Sequence, residues 1–356
     1  MLEGGYAENC CADNKTYDAY HVVTAGPGPG APGAVLDGVT IRGGYADGAS
    51  PHQAGGGLLT NDSSPTIRHC IIECNAAGNG GGVAAFYGGA PTLAHCTIRY
   101  NWAVPSQKPS TSGTGGMSIY LSDAFVTDCT FYQNTALGDQ PGALQVGQCN
   151  PVITRCTFEE NEATTKGGAA AIWAGAVATS PLFTGCTFTQ NRVLNTGGVG
   201  GGAVCVNIGS TPMFRDCTFT GNEAASYGGG VAVTGSASHA KLVQCSFIGN
   251  TAPSGGGLSV ASGHATAVNC RFLGNQGLYG GGVFVQGGSR TGSATRSDMM
   301  HLPCAHHARP PPPDARCNSP SAYAAGTPYL DAPGAPAVYS FVPAGTVKLR
   351  PYSLLA

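Results

Sequence analysis

Apolar and polar residues alternate along most of this chain in a pattern that returns about every 29 residues. One copy reads DCTFTGNEAASYGGGVAV (residues 216–233), with alternation around its cysteine and again after its glycines. Alternation with a period of two is typical of β-strands, and the glycines that bound it indicate tight turns. Glycine and β-branched residues also disfavour helices. The pattern therefore predicts a repetitive all-β chain.

The most regular string in the repeat is a cysteine, followed two residues later by an aromatic or aliphatic residue and five residues later by asparagine. Copies in register have their cysteines at Cys70, Cys96, Cys129, Cys156, Cys186, Cys217, Cys245 and Cys270 and their asparagines at Asn75, Asn101, Asn134, Asn161, Asn191, Asn222, Asn250 and Asn275. Because successive side chains of a strand point to opposite faces, the cysteine and the apolar residue after it are predicted inside, with the residue between them outside. The asparagines are predicted to adopt left-handed backbone geometry and to form a ladder of amide hydrogen bonds.

A second string, of glycines followed by apolar alternation, lies between successive cysteine strings, as in Gly228-Gly-Gly-Val-Ala-Val233. A third apolar position precedes each cysteine by three residues, and the residue directly before the cysteine marks a corner. Each copy thus predicts three short strands and two tight corners. Such units bury their apolar faces by stacking, with equivalent strands about 4.8 Å apart. With a degenerate first copy at Val39-Thr-Ile-Arg-Gly-Gly44, we predict a parallel β-helix of about nine turns.

Two of these motifs carry a resemblance to known proteins: FxxN strings such as Phe131-Tyr-Gln-Asn134, and GGA strings such as Gly167-Gly-Ala-Ala170. Residues 20–290 resemble right-handed parallel β-helix repeat proteins of the pectin-lyase-like superfold, and both motifs are similar to the repeats of chlamydial polymorphic outer membrane proteins. The lead-in, Ala19-Tyr-His-Val-Val-Thr24 followed by Ala34-Val-Leu-Asp-Gly-Val-Thr-Ile41, resembles that of large secreted, adhesin-like β-helix proteins. The resemblance implies a right-handed coil and a secreted or cell-surface location.

The chain divides into three parts by its pattern. Residues 1–34 form an incomplete N-terminal cap or lead-in, residues 35–290 the right-handed β-helix, and residues 291–356 a Pro-rich tail predicted to be mostly irregular or disordered. The tail contains His301, His306 and His307, which we interpret as linker histidines rather than metal ligands. The chain starts in what resembles the middle of a module and shows no signal peptide, so truncation of a longer protein is an alternative interpretation.

The chain has 15 cysteines, which invite a disulfide or metal interpretation. The eight ladder cysteines are instead predicted to be buried, inert free thiols, because stacked side chains run parallel and do not meet with disulfide geometry. No CxxC pair that would indicate zinc occurs. The cysteines outside the coil can bridge in an oxidising compartment, and these are Cys10, Cys11, Cys304 and Cys317.

Composition narrows the set of partners. With a net charge of -2 and only 10% charged residues, the chain lacks the basic stripe that nucleic-acid binding needs. The longest apolar runs are too short for a transmembrane helix. We expect glycans or cell-surface proteins as partners, with the loop 102–114 as a contact region, and the sequence leaves the oligomeric state open.

Catalysis on this fold needs acids, bases or charged groups that converge from neighbouring turns. The predicted outward rows carry mainly threonine, serine and alanine, so we expect no catalytic site, no cofactor and no metal. The corner residues His69, His95 and Asp128 are the weak candidates, because stacked imidazoles beside a carboxylate can exchange protons or bind a metal.

A second polar group consists of Glu159, Glu160 and Glu162, near Arg99 and Tyr132 by ladder position. Adjacent strand residues point to opposite sides, so these glutamates are predicted not to converge.

These patterns favour a non-enzymatic secreted or cell-surface protein, in which a stiff coil presents loops for adhesion or glycan contact. A carbohydrate-active enzyme, such as a polysaccharide lyase, hydrolase or epimerase, is the first alternative. A truncated fragment without independent function is the second.

Overall fold

The structure is a computed structural model that describes residues 19–26, 33–49, 52–103, 113–286 and 346–350. These residues form a parallel β-helix, in which every turn adds one strand to each of up to four sheets. The chain passes through sheets A, B, C and D in that order before it begins the next turn. The described residues contain no helix, as the sequence predicts.

Sheets A and B each have ten strands. Sheet A consists of Val23–Ala25, Leu58–Asn61, Val83–Phe86, Met117–Tyr120, Leu144–Gly147, Ala170–Trp173, Val204–Asn207, Val231–Val233, Leu258–Val260 and Val283–Val285. Sheet B consists of Val35–Asp37, Thr66–Arg68, Thr92–Ala94, Phe125–Thr127, Val152–Thr154, Leu182–Thr184, Met213–Arg215, His239–Val243, His264–Val268 and Thr346–Arg350.

Sheet C has nine strands and sheet D has seven. Sheet C consists of Thr40–Arg42, Ile71–Glu73, Thr97–Arg99, Thr130–Tyr132, Thr157–Glu159, Thr187–Thr189, Thr218–Thr220, Ser246–Ile248 and Arg271–Leu273. Sheet D consists of Tyr45–Ala46, Ala76–Ala77, Trp102–Ala103, Thr135–Ala136, Glu162–Ala163, Arg192–Val193 and Glu223–Ala224. The sequence predicts three strands per copy, and the strand of sheet D is a fourth that was not predicted. Strands of two residues are too short to show alternation.

Equivalent residues of successive turns pair in register, so that Phe158 pairs with Phe131 on one side and Phe188 on the other. The rings of Phe158 and Phe188 stack with centroids 4.8 Å apart and planes 5° from parallel. This spacing is the distance between paired strands, so each ring stacks on the next along the coil. The predicted β-helix of about nine turns is confirmed.

The core contains the predicted row of thiols beside the phenylalanine row. All eight ladder cysteines are buried and free. The Cys156 thiol lies within hydrogen-bonding distance of the carbonyl oxygens of Thr154 and Val126, at 3.4 and 3.6 Å. Hydrogen bonding to Cys129 and burial raise the pKa of Cys156, so this thiol stays protonated and behaves as a small apolar filler.

The asparagines form the predicted ladder, but their backbone conformation was predicted wrongly. The Oδ1 atom of Asn161 accepts from the backbone N–H and the Nδ2 of Asn134, at 2.9 and 3.0 Å. Its Nδ2 donates to Phe131 O and to Asn191 Oδ1, both at 2.9 Å. The left-handed residue is the one before each asparagine, such as Glu160 with φ 51°. The asparagine itself turns its side chain inward beneath the corner, where it replaces missing backbone partners.

The outward row of sheet A is buried although it points away from the core. Ser118 and Cys205 in this row are 0% exposed, because the connections from sheet D fold over them. The Thr114 hydroxyl of one such connection donates to Gln145 Oε1 at 3.0 Å. Each connection reaches sheet A through a glycine such as Gly167, at φ 55°, where a side chain would overlap the Ala170 carbonyl. Some residues at the ends of sheet A strands, such as Asn61 and Tyr120, remain partly exposed.

Parts of the predicted terminal regions join the coil. The strand Val23–Ala25, in the predicted cap, pairs with sheet A. In the predicted tail, Thr346–Arg350 pairs with His264–Val268 and extends sheet B. The remaining predictions for the tail, with Cys304, Cys317 and its three histidines, lie outside the described residues, as do Cys10, Cys11 and most of the loop 102–114.

Candidate functional site

The corner between sheets B and C brings the two predicted histidines together. The His69 and His95 rings stack with centroids 5.4 Å apart and planes 7° from parallel. Both residues have left-handed φ values, 51° and 54°, which direct their side chains outward from a convex corner. His69 Nδ1 lies 2.9 Å from Asp37 Oδ1. The hydrogen bond to His69 lowers the pKa of Asp37, with further help from Arg68.

Asp128, the third predicted residue, has a different partner. Arg155, one turn further, donates to both carboxylate oxygens of Asp128 through Nε at 2.7 Å and Nη2 at 2.6 Å. These bonds hold the pKa of Asp128 at about 2. Asp128 is therefore ionised at neutral pH, with arginine rather than His95 as its hydrogen-bonding partner. The carboxylate beside His69 is Asp37, which sequence reasoning missed because it lies in the degenerate first copy, where the register is hard to assign.

The glutamates lie on the opposite side of sheet C, around a groove of about 320 Å³. Glu160, Glu162 and Glu223 line this groove together with Arg192. The adjacent residues Glu159 and Glu160 diverge, as predicted, because Glu159 continues the row of Tyr132 on sheet C while Glu160 lines the groove. The prediction that no two of these glutamates converge is wrong for Glu160 and Glu162, which are two residues apart. Glu160 has left-handed backbone geometry in the corner between sheets C and D, and Glu162 begins the strand that follows.

The groove carries three carboxylates and one guanidinium, and part of this negative charge is neutralised across turns. Arg192 forms an ion pair with Glu162 and lies in register between Glu162 and Glu223. Gln133 Nε2 donates to Glu160 Oε2 at 2.6 Å. Arg99, which was predicted to lie near the glutamates, pairs with Glu73 at 2.7 Å on another turn. The groove can therefore hydrogen-bond a polar ligand through its remaining carboxylate and amide oxygens.

A third surface feature, which sequence reasoning missed, is an aromatic cluster at the corner between sheets A and B. Its residues are Phe86, Tyr87, Tyr120 and Trp173. Phe86, Tyr120 and Trp173 hold the same register position on three strands of sheet A, with Gly147 on the strand between Tyr120 and Trp173. In the sequence, an aromatic residue stands at the end of each of these three strands. Too few copies of the repeat have one for the position to be recognised as part of the pattern.

Two further properties concern the described residues alone. Within the described ranges, no group of three or more metal-ligating side chains has the arrangement of a metal site. None of these residues belongs to a helix long and apolar enough to cross a membrane.

Comparison with known proteins gives one match. The family model for the right-handed beta helix region matches residues 30–199 and 180–297, about three quarters of the chain. No curated protein and no solved structure matches the chain significantly.

Proposed function

The chain belongs to the right-handed β-helix family, and from this premise we propose that it is a non-enzymatic secreted or cell-surface protein. In this role the coil is a stiff scaffold that presents surface side chains and loops for adhesion or glycan contact. The observation that carries the proposal is the unbroken in-register pairing of sheets A and B through ten strands each. A coil without interruption transmits force and spaces its surface features evenly.

The surface chemistry supports binding rather than catalysis. The exposed row of sheet C is a ladder of hydroxyl groups, in which Thr157 pairs with Thr130 and Thr187. In the part of the chain that the structure describes, seven ion pairs, such as those of Arg155 with Asp128 and Arg99 with Glu73, join neighbouring turns. The acids and bases in these pairs neutralise one another, which holds the surface side chains in place and disfavours their use in proton transfer.

The cysteine chemistry supports an extracellular location. Cys74 is disulfide-bonded, unlike the ladder cysteines next to it. Stable structural disulfides form mainly in oxidising compartments. Mass spectrometry of peptides from the unreduced, alkylated protein tests this point. A Cys74 that is alkylated in protein secreted from cells would remove the support.

The test of the proposed function is binding without turnover. The purified chain is applied to a glycan array and to cultured epithelial cells, and it is incubated in parallel with polyuronides and neutral polysaccharides. We expect retention on glycans or cells, with no unsaturated or reducing products. Release of such products, or the absence of binding on both surfaces, contradicts the proposal.

The acidic groove favours a second function, carbohydrate cleavage. Glu160, Glu162 and Glu223 come from two different turns and face one groove, which is what two-carboxylate hydrolysis requires. If the chain releases products in the incubation above, the Glu223→Gln variant is expected to abolish the release. Activity that survives this substitution excludes the groove as the active site.

A further inference from the structure

The aromatic cluster places several partly exposed aromatic rings together on the surface, outside the core that stabilises the coil. Tyr87 is 57% exposed, and Phe86, Tyr120 and Trp173 are half-buried. Phe86 and Tyr87 each meet Tyr120 edge to face, with centroids 6.2 and 5.9 Å apart. Large aromatic side chains left at a surface in contact with one another mark an interaction site more often than chance.

The indole of Trp173 lies flat against the strand beside it. A Cβ atom on Gly147 would come within 2.6 Å of the Cε2 and Cζ2 atoms of this indole. One face of the ring therefore covers the Gly147 backbone, and the Tyr120 ring lies beside it with its plane only 25° from parallel. The indole is half-buried, so part of its apolar surface is exposed and already in place before a ligand binds.

Polar groups around the cluster are held in fixed positions. Gln148 Nε2 donates to the Tyr120 hydroxyl at 2.8 Å, and Gln148 Oε1 accepts from the backbone N–H of Ala176 at 3.1 Å. Asn207 continues the row directly beside Trp173. Its side chain is 8% exposed, and its Oδ1 atom is buried without a hydrogen-bond partner among the described residues. Asn207 therefore carries an unsatisfied hydrogen-bond acceptor directly beside the row of aromatic rings.

The charge around the cluster selects among ligands. Six segments surround the cluster: residues 61–65, 86–91, 120–124, 147–151, 173–181 and 207–212. They contain two acidic residues, Asp62 and Asp123, and no lysine or arginine. Anionic polysaccharides, nucleic acids and acidic lipid surfaces need basic partners and are disfavoured here.

We propose that the aromatic cluster, with Asn207, is a binding site for a neutral glycan. The inference rests on the proposed function and gives it a location and a ligand class. Sugar rings present a face of polarised C–H bonds, which suits the negative face of an indole or phenol ring, and their hydroxyls need fixed donors and acceptors. From Phe86 to Trp173 the row crosses three strand spacings, about 14 Å. This length accommodates a short oligosaccharide lying parallel to the coil axis.

The test uses the fluorescence of Trp173. The chain has two tryptophans, so Trp102→Phe leaves Trp173 as the reporter. In this background, the protein is titrated with cello-, xylo- and manno-oligosaccharides, with polygalacturonate and with choline. We expect a saturable change in emission with at least one neutral oligosaccharide and none with polygalacturonate or choline. A response to polygalacturonate or choline alone, or to no probe, overturns the inference.

Variants locate the site by calorimetry in the natural background. Trp173→Ala is expected to weaken binding of the responding oligosaccharide at least tenfold. Gly147→Ala is expected to weaken it as well, because the added methyl group displaces the indole without removing a ring. Tyr279→Ala is the matched control, since Tyr279 is a 55% exposed aromatic residue in the connection before the last strand of sheet A, several turns from Trp173. Equal binding by the Trp173→Ala and Tyr279→Ala variants overturns the inference.

The two proposals fail in different ways. Binding to the glycan array that the Trp173→Ala variant retains leaves the scaffold function in place and contradicts only this site. Thermal unfolding of each variant, followed by circular dichroism, shows whether a loss of binding reflects loss of the fold. If Trp173→Ala unfolds, Trp173→Phe replaces it, with weaker but measurable binding as the expected result.

Discussion

At the scale of single residues, the buried thiols show how the coil uses a reactive group as an inert filler. Cys205 points out of the core, yet the connection above it makes it completely buried. Burial raises the pKa of Cys205 to about 12 and that of Cys149 to about 11. A free thiol in an unfolded chain titrates at about 8.5. At a pH between about 8.5 and the raised pKa, the thiol therefore loses its proton in the unfolded chain and keeps it in the folded chain.

This difference predicts that alkaline pH destabilises the fold. Because the pKa of Cys205 is raised in the folded state, the stability that its protonated thiol contributes is fully present below about pH 9. This stability is lost as the pH rises toward about 12. One such thiol changes the free energy of unfolding by up to about 1.4 kcal/mol per pH unit. Cys205→Ala should make the alkaline loss shallower by about that slope in urea unfolding between pH 9 and 11. Alanine fits, since Cys205 pairs with Ala171 and Ala232.

A control for this prediction comes from the same row. Ser259 pairs with Ala232 and does not titrate, and its hydroxyl is buried without a partner among the described residues. Ser259→Ala should therefore leave the alkaline slope unchanged. An equal slope in the Cys205→Ala and wild-type proteins would show that Cys205 titrates normally and is not sealed by its cover.

Individual side chains were predictable where strand alternation holds and not where it is interrupted. The inward cysteines and phenylalanines follow from alternation alone. Glu159 and Glu160 diverge as alternation predicts, but the shared groove of Glu160, Glu162 and Glu223 was not predicted, because Glu160 has φ 51° and lies in a corner rather than within a strand. A left-handed residue ends the regular alternation, and glutamate gives no sequence signal for that conformation, unlike glycine or asparagine.

At the scale of secondary-structure elements, the asparagine ladder stabilises the corner between sheets C and D. The Asn161 side chain makes four hydrogen bonds, two from Asn134 and one each to Phe131 and Asn191. All these groups are buried, so water cannot replace a lost partner. The corner therefore depends on a side chain for hydrogen bonds that strands obtain from their backbones.

We predict that Asn161→Ala costs about 3 kcal/mol or more of folding free energy, because it leaves several buried groups unpaired. Asn161→Asp should cost at least as much, since the carboxylate keeps the volume but faces the Phe131 carbonyl and the Asn191 amide oxygen without a donor. The control is Asn275→Ala at the last turn, where the side chain is partly exposed and water can substitute. Chemical denaturation measures the free energy of unfolding of the three variants. A similar cost at Asn161 and Asn275 would contradict a cooperative ladder.

The strands were predicted less completely than the row positions. Sheet D escaped prediction because strands such as Glu162–Ala163 contain only two residues. The outward row of sheet A was correctly assigned, but its burial was not, because the cover comes from connections whose sequences vary between copies. The aromatic cluster lies in the narrow strip that these connections leave open, so its exposure depends on contacts between segments that no local pattern reports.

At the scale of the whole molecule, each turn contacts only the turns before and after it. Pairs such as Phe158 with Phe188 and Thr157 with Thr187 repeat along sheet C. Stability is then close to a sum of equal contributions from turns and the interfaces between them. The number and order of turns follow from the spacing of the repeats, which is why the overall fold could be predicted from the sequence alone. The functional surfaces could not, since each belongs to a few particular turns.

This one-dimensional organisation predicts that one whole turn can be deleted. Removal of residues 217–244 joins Asp216 to Cys245, and the junction is compatible because Asp216 and Gln244 have matching left-handed φ values of 53° and 56°. The rows of sheets B and C then continue across the junction. The shortened chain should unfold cooperatively, with an unchanged β-sheet spectrum per residue. X-ray scattering should show a rod shorter by about 4.8 Å.

Deletion of half a turn, residues 217–230, is the contrasting case. It places Val231 after Asp216, so that a strand of sheet A follows the corner that normally begins sheet C. Inward and outward rows no longer match, and the phenylalanine stack of sheet C is interrupted. This variant should fail to form a cooperative fold, because a register error exposes the core-facing row on both sides of the junction. If the half-turn deletion folds as well as the full-turn deletion, the stacking of equivalent rows does not specify the coil.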